Sequence, residues 1–210
     1  MRFADLDAVT VDGYGTLVRL VDPVPALRQA LRERGVDCDA KAARAGFAAE
    51  VAYYRPNAMH GRDAESLAAL RLECTRIFLE GAGSELEPES FVGAFMDSIV
   101  MEPIDGAFEV VRALRARGLE VAVVSNWDIG LTEQLERLGV ASLFTAIVTT
   151  AEAGAPKPEP AVFRLALEKL EVDAGRALHI GDESGDEDGA RAAGMQFAPT
   201  PLATAFPGWS

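Results

Sequence analysis

Asp12 is the first residue whose type and position suggest chemistry. It ends the apolar, β-branched run 8–11 and is followed by the glycine-rich turn 13–16. A carboxylate at a strand end can attack an electrophile, while the N–H groups of such a turn stabilise the negative charge that develops. An Asp that only caps a turn explains the same residues equally well, so both interpretations stay open at this point.

Two further segments carry polar side chains that could contact a substrate. Ser125 and Asn126 follow the apolar run 119–124 and can donate hydrogen bonds to an anionic oxygen of a substrate, although capping of the next helix explains them too. Lys157 lies between two prolines at the start of a helical pattern. The prolines restrict its backbone, which favours a positioned cation over a solvated surface charge.

The fourth segment is acidic. Asp182 and Asp186 follow the predicted strand 177–180 and a glycine turn. Two carboxylates with this spacing suit Mg²⁺, which takes few carboxylate oxygens and keeps waters and substrate phosphate as its other ligands. An acidic first helical turn, favourable with the helix dipole, is the alternative interpretation.

The surrounding pattern predicts the elements that position these residues. From residue 103 onward helical and apolar strand-like segments alternate, which indicates a parallel sheet with right-handed crossovers. Before it, helical periodicity predicts helices over 24–34, 41–54, 64–79 and 88–100. We therefore expect an α/β fold: a Rossmann-like parallel sheet core of residues 1–18 and 101–210 with an inserted all-helical cap, 19–100. In such open sheets ligands bind at the carboxyl ends of the strands.

The bulk composition narrows the possible partners and location. The net charge of −13 argues against nucleic acid and anionic membrane surfaces as partners. The two cysteines lack metal-ligand spacing, and no apolar run has the length of a membrane span. We expect a cytoplasmic protein with a small-molecule substrate. The tail 199–210, rich in proline and apolar residues, is expected to pack on the surface.

The order of these segments, Asp, Ser, Lys and an acidic pair, resembles the four motifs of the haloacid dehalogenase-like (HAD) hydrolase superfamily over essentially the whole chain. The run 189–195 and the helical insertion after the first motif are also similar to that family. The resemblance implies that Asp12 is the nucleophile and that Ser125 and Lys157 hold the substrate anion. Thr16 and Asn126 join them as candidate substrate-binding residues.

The resemblance also implies a Mg²⁺ site. Asp182 would bind the ion with Asp12 and the backbone carbonyl of Tyr14, and Asp186 would support it from the same motif. Because spacing in this segment varies, Glu183 or Asp188 could take the place of Asp186.

Tyr14 departs from the phosphatases of the family, which carry a general-acid Asp at this position. A phenol with a pKa near about 10 is a poor proton donor to a departing alkoxide, whereas a halide leaves without a proton. Family dehalogenases have Tyr here, but they use no metal and lack the Gly-Asp start of the acidic motif, which this chain keeps as Asp182. The acidic pair favours a Mg²⁺-dependent phosphatase of a small phosphorylated metabolite. The alternatives are a metal-independent 2-haloacid dehalogenase and a catalytically weak ligand-binding homologue.

A predicted loop between two helices and a histidine inside a strand are the remaining candidates for a role in the site. The segments 53–55 (Tyr-Tyr-Arg) and 60–62 (His-Gly-Arg) are predicted in a loop between helices. Such a loop could contact the leaving group of the substrate and supply its proton, or it could be solvated only. His179, inside a strand, is interpreted as a satisfied core histidine rather than a ligand.

Overall fold

The computed structural model describes residues 5–202, and these form two compact units. The first consists of the described parts of Met1–Arg19 and Glu102–Ser210, and the second is Leu20–Met101. Residues 203–210, the end of the tail that we expected on the surface, lie outside the described residues.

A five-stranded parallel sheet forms the centre of the first unit and confirms the predicted α/β class. The strands of the described chain are β1 (Ala8–Val11), β2 (Val18–Leu20), β3 (Met101–Pro103), β4 (Glu120–Ser125), β5 (Ala146–Thr149), β6 (Ala177–Gly181) and β7 (Gln196–Pro199). The sheet order is β5-β4-β1-β6-β7. All four residues of β1 are buried, as expected of a central strand covered on both faces.

The two strands outside this sheet, β2 and β3, pair with each other and contain the boundaries between the units. Sequence periodicity did not predict them, because three residues are too few to establish an alternation of apolar and polar side chains.

Apart from a four-residue helix at Thr150–Ala153, which was not predicted, the helices follow the predicted pattern with shifts at their ends. They are α1 (Val24–Arg32), α2 (Ala40–Asn57), α3 (Ala64–Gly81), α4 (Pro88–Ser98), α5 (Ala107–Ala116), α6 (Leu131–Arg137), α7 (Thr150–Ala153), α8 (Ala161–Leu170) and α9 (Ser184–Ala192). The helical pattern after Lys157 predicts that α8 starts at Pro158. This start is wrong, because Pro158 and Pro160 occupy a turn that precedes the helix. Between residues 5 and 202 no helix has the length and apolar character to cross a membrane.

The second unit is helical and has its own apolar core. The ring of Phe78 lies 6.0 Å from that of Phe91 and 5.3 Å from that of Phe95, and all three residues are buried. The prediction that residues 53–55 lie in a loop is wrong, since α2 continues to Asn57. Tyr53 and Tyr54 pack against this core, and the helix therefore continues past the segment and through Pro56 in its last turn.

Glu50 is an acidic residue that α2 places in the interior, with only 7% of its surface exposed. Burial raises its pKa from 4.5 to about 7, and a hydrogen bond with Cys74 opposes the rise only in part. The folded protein therefore binds this proton more tightly than the unfolded chain does. The stability that this proton contributes is complete below the unfolded pKa and is lost as the pH rises through the folded pKa.

We expect Glu50→Gln to remove this loss. The pKa difference corresponds to about 3 kcal/mol. The free energy of unfolding of the variant should therefore exceed that of the wild type by up to this amount at about pH 8 and match it near pH 4.5. Denaturant unfolding across this range measures the difference. Glu65→Gln, an exposed site on α3, is the matched control and should show no such trend. A parallel pH dependence in wild type and Glu50→Gln would contradict the assignment.

Candidate active site

The carboxyl ends of β4, β1 and β6 meet at one edge of the sheet and bring three of the predicted segments together. Asp12 follows β1, Ser125 ends β4, and Asp182 follows β6. Ser125 Oγ donates to Asp12 Oδ1 over 3.2 Å, so its side chain is directed at the candidate nucleophile rather than at the next helix. Both residues are buried. This contact decides against helix capping as the role of the Ser125 side chain.

Lys157, the cation of the third segment, joins this group through contacts with Asp12 and Asp186. Its Nζ lies 2.5 Å from Asp12 Oδ1 and 2.5 Å from Asp186 Oδ1, and its side chain is 6% exposed. Its backbone N–H donates to Asn126 Oδ1 over 2.8 Å, which fixes the start of the segment between the prolines. Asn126 therefore holds Lys157 in place, and its predicted contact with substrate stays a prediction.

The turn after Asp12 is shaped by close contacts at its glycines. Gly15 has a φ of +86°, and a Cβ there would collide with the carboxylate of Asp182. A Cβ on Gly13 would lie 2.9 Å from Ser125 Oγ. Glycine at both positions therefore lets the first, second and fourth segments approach one another.

Tyr14 and Thr16, in the same turn, have opposite environments. Tyr14 is 43% exposed, whereas Thr16 is buried. The Thr16 Oγ1 atom has no hydrogen-bond partner within the described residues, which leaves its bonding capacity for a ligand. The roles predicted for Tyr14 in catalysis and metal ligation, and the role predicted for Thr16 in substrate binding, stay predictions.

Burial and charge act in opposite directions on the two acids that contact Lys157. Burial raises the pKa of Asp12 to about 6, with Lys157 opposing the rise and the charges of Asp186 and Asp182 adding to it. Burial also opposes ionisation of Asp186, but the hydrogen bond with His179 and the charge of Lys157 hold its pKa below the usual range. Burial alone would lower the pKa of Lys157, and the two carboxylates outweigh it. Both acids are therefore mainly ionised at neutral pH.

The three carboxylates form a group that can hold a metal ion. Asp12, Asp182 and Asp186 each offer one oxygen, and these atoms lie within 4.8 Å of one another. A set of only oxygen donors fits Mg²⁺. Asp186 already accepts from Lys157 and His179 at Oδ1 and from the Glu183 N–H at Oδ2, which favours a supporting role.

The alternatives to Asp186 in this segment have different environments. Asp186 is 1% exposed and contacts Lys157, whereas Glu183 and Asp188 are exposed. The structure therefore brings Asp186, rather than either alternative, into the cluster around Asp12.

His179 makes contacts in the site that the sequence did not predict. It is fully buried, as predicted for a core histidine, but its Nε2 lies 2.9 Å from Asp186 Oδ1. Its Nδ1 lies 2.8 Å from Thr10 Oγ1 on the neighbouring strand. Burial lowers the pKa of His179, so the ring is neutral at neutral pH. The sequence did carry one sign that Thr10 belongs near the site. Thr10 and Asp12 are two residues apart, and β-strand alternation puts their side chains on one face of the sheet.

Comparison with known proteins identifies the family. Residues 78–199 match the family model described as haloacid dehalogenase-like hydrolase. The chain is 39% identical over 113 residues to haloacid dehalogenase-like hydrolase domain-containing protein 3 of Bos taurus, covering 51% of this chain and 45% of that protein. It is 30% identical over 142 residues to N-acetylmuramic acid 6-phosphate phosphatase of Pseudomonas aeruginosa, covering 65% of this chain and 63% of that protein.

A solved structure agrees in fold. The HAD-hydrolase YfnB of Bacillus subtilis, bound to magnesium, superposes with a TM-score of 0.68 at 18% identity, covering 91% of this chain and 87% of that one. The matched regions span roughly half to two thirds of the curated relatives' own lengths. Since the family model covers more than half of the sequence, the chain belongs to the haloacid dehalogenase-like hydrolase family.

Proposed function

We propose that the protein is a Mg²⁺-dependent phosphatase that acts on a small phosphorylated metabolite through an aspartyl-phosphate at Asp12. The observation that carries this proposal is the convergence of Asp12, Asp182 and Asp186 around Lys157, which contacts two of them. A dehalogenase has little use for a second and a third acid beside its nucleophile, since the three negative charges repel one another without a cation.

The proposed reaction has two steps, both at Asp12. A carboxylate oxygen of Asp12 attacks phosphorus and the bond to the ester oxygen breaks, which leaves an acyl phosphate and an alcohol. Water then attacks the acyl phosphate, releasing inorganic phosphate and restoring the carboxylate. Ser125 and Lys157 hold the phosphoryl oxygens as negative charge moves onto them. Mg²⁺, held by Asp12 and Asp182 with support from Asp186, would neutralise charge on the transferring group.

Two further parts of the proposal concern the substrate. The name of the Pseudomonas aeruginosa relative, N-acetylmuramic acid 6-phosphate phosphatase, supports a phosphate monoester of metabolite size. We propose that the helical unit, residues 20–101, acts as the cap that selects among such esters. Tyr14 replaces the usual acid, so the proton for the leaving alcohol comes from water, from the substrate or from the helical unit.

Tyr14 also favours a second candidate, a dehalogenase of small 2-halo acids. In that reaction Asp12 displaces a halide, which needs no proton from Tyr14 and no metal. The two candidates therefore differ in their dependence on a divalent cation.

A phosphate-release screen over a panel of metabolite phosphates, with Mg²⁺ or with EDTA, separates them. We expect release with Mg²⁺ and a loss of at least about a hundredfold in EDTA, restored by added Mg²⁺. Halide release from a 2-chloro acid in the presence of EDTA would favour the dehalogenase. Phosphate release that persists in EDTA would refute the metal-dependent proposal.

A further inference from the structure

A chain of buried side-chain contacts runs from the middle of β1 to the nucleophile at its end. Thr10 Oγ1 lies 2.8 Å from His179 Nδ1, and His179 Nε2 lies 2.9 Å from Asp186 Oδ1. The same Asp186 oxygen lies 2.5 Å from Lys157 Nζ, which lies 2.5 Å from Asp12 Oδ1. The family motifs account for the last three residues of this chain and leave the first two without a role.

The His179 ring is enclosed on its other sides by apolar groups. The ring of Phe163 meets it edge to face with centroids 4.9 Å apart, and the ring of Phe197 lies 6.4 Å away. Each ring nitrogen has a side-chain partner, Thr10 Oγ1 or Asp186 Oδ1, and His179 has no exposed surface. The ring therefore has one orientation in which both nitrogens are satisfied.

The chemistry of the partners fixes where the hydrogens lie. An ionised carboxylate only accepts, so His179 must carry its hydrogen on Nε2 and donate it to Asp186. In the neutral ring Nδ1 is then the acceptor, and the Thr10 hydroxyl must donate to it. The β1–β6 register, which pairs Thr10 with His179, makes this contact possible.

We propose that Thr10 and His179 are positioning residues that orient the Asp186 carboxylate and, through it, hold Lys157 against Asp12. Three donors then fix Asp186: His179 and Lys157 at Oδ1 and the Glu183 N–H at Oδ2. Without the His179 hydrogen bond, the carboxylate can rotate and move the ammonium group away from the reacting atoms. For its kinetic readout this inference rests on the proposed function.

A matched pair of His179 variants tests the inference. The amide nitrogen of Gln can take about the place of imidazole Nε2, whereas that of Asn takes about the place of Nδ1. We expect His179→Asn to lower kcat by about 10- to 100-fold with KM changed less than about threefold, and His179→Gln to recover most of the loss. Values are normalised to the folded fraction, because a merely structural role would lower stability and leave kcat of the folded molecules unchanged.

A second pair tests the far end of the chain. Thr10→Val keeps the shape of the side chain and removes its hydroxyl, while Thr10→Ser keeps the hydroxyl. We expect Thr10→Val to lower kcat by about 3- to 10-fold and the kcat of Thr10→Ser to stay close to that of the wild type. Equal kcat in wild type, His179→Asn and Thr10→Val would overturn the inference.

The hydrogen position gives a readout that does not need activity. The chain has two histidines, so long-range ¹H–¹⁵N spectra of the full chain contain two imidazole sets, and His60→Gln identifies the set of His179. We expect a hydrogen on Nε2 and none on Nδ1. A hydrogen on Nδ1 with a bare Nε2 would overturn the inference. If the wild type released no phosphate from any substrate, the proposed function would fail, and this spectrum would still decide the present inference.

Discussion

Asp12→Asn is expected to lower phosphate release by at least about a thousandfold, because the amide cannot act as the nucleophile. The amide oxygen can still accept from Lys157 and Ser125, which contact Asp12 Oδ1 in the wild type. The fold should therefore persist. Release is measured on the best substrate of the metabolite panel with Mg²⁺, and thermal unfolding of the same preparation checks that the variant is folded.

Asp188→Asn is the matched control for this variant. The substitution is identical, but Asp188 is exposed on α9 and lies outside the carboxylate group. We expect its activity to stay within about twofold of wild type, as for surface substitutions away from a site. An Asp12→Asn protein that turns over substrate at the wild-type rate would rule out the aspartyl-phosphate.

Lys157→Met is expected to abolish activity and also to destabilise the protein. Methionine keeps much of the aliphatic length, but Asp12 and Asp186 lose the cation that lies 2.5 Å from each. Leaving a buried charge without its partner costs about 3–5 kcal/mol, and the loss of a positioned cation should lower kcat by about a hundredfold or more. Denaturant unfolding and phosphate release measure the two effects.

Lys169→Met provides the comparison for stability. Lys169 Nζ lies 2.5 Å from Glu152 Oε1, but both side chains are more than a third exposed. Exposed pairs contribute at most about 1 kcal/mol, so this variant should be close to wild type in stability and activity. If Lys157→Met and Lys169→Met lowered the free energy of unfolding by the same amount, the stabilising role of Lys157 between Asp12 and Asp186 would be contradicted.

The strand ends and their order made the fold and the main contacts of the site predictable. Asp12, Ser125 and Asp182 each follow an apolar run, and parallel strands bring such ends to one edge of the sheet. The role of Lys157 as a positioned cation was predictable from its two prolines, because they restrict the backbone in front of a helix. Family membership and the parallel sheet are confirmed, whereas the roles of the individual residues stay predictions.

The interactions that sequence patterns could not predict depend on the register of the sheet. Alternation along β1 shows that Thr10 shares a face with Asp12, but only the pairing of β1 with β6 shows that His179 lies beside it. The contact of Asn126 with the Lys157 backbone likewise joins segments 31 residues apart. Tyr53 and Tyr54 were misassigned because their packing on the helical core outweighs the local effect of Pro56.

The contact of one lysine with two of the three carboxylates has a consequence for the order in which ligands bind. With Asp12, Asp182 and Asp186 ionised, three negative charges face the single positive charge of Lys157, so the group carries two uncompensated negative charges. A divalent cation makes the group neutral, whereas a monovalent ion leaves it anionic. A phosphate ester that arrives first is repelled by this net negative charge. We therefore expect ordered addition, with the cation before the substrate.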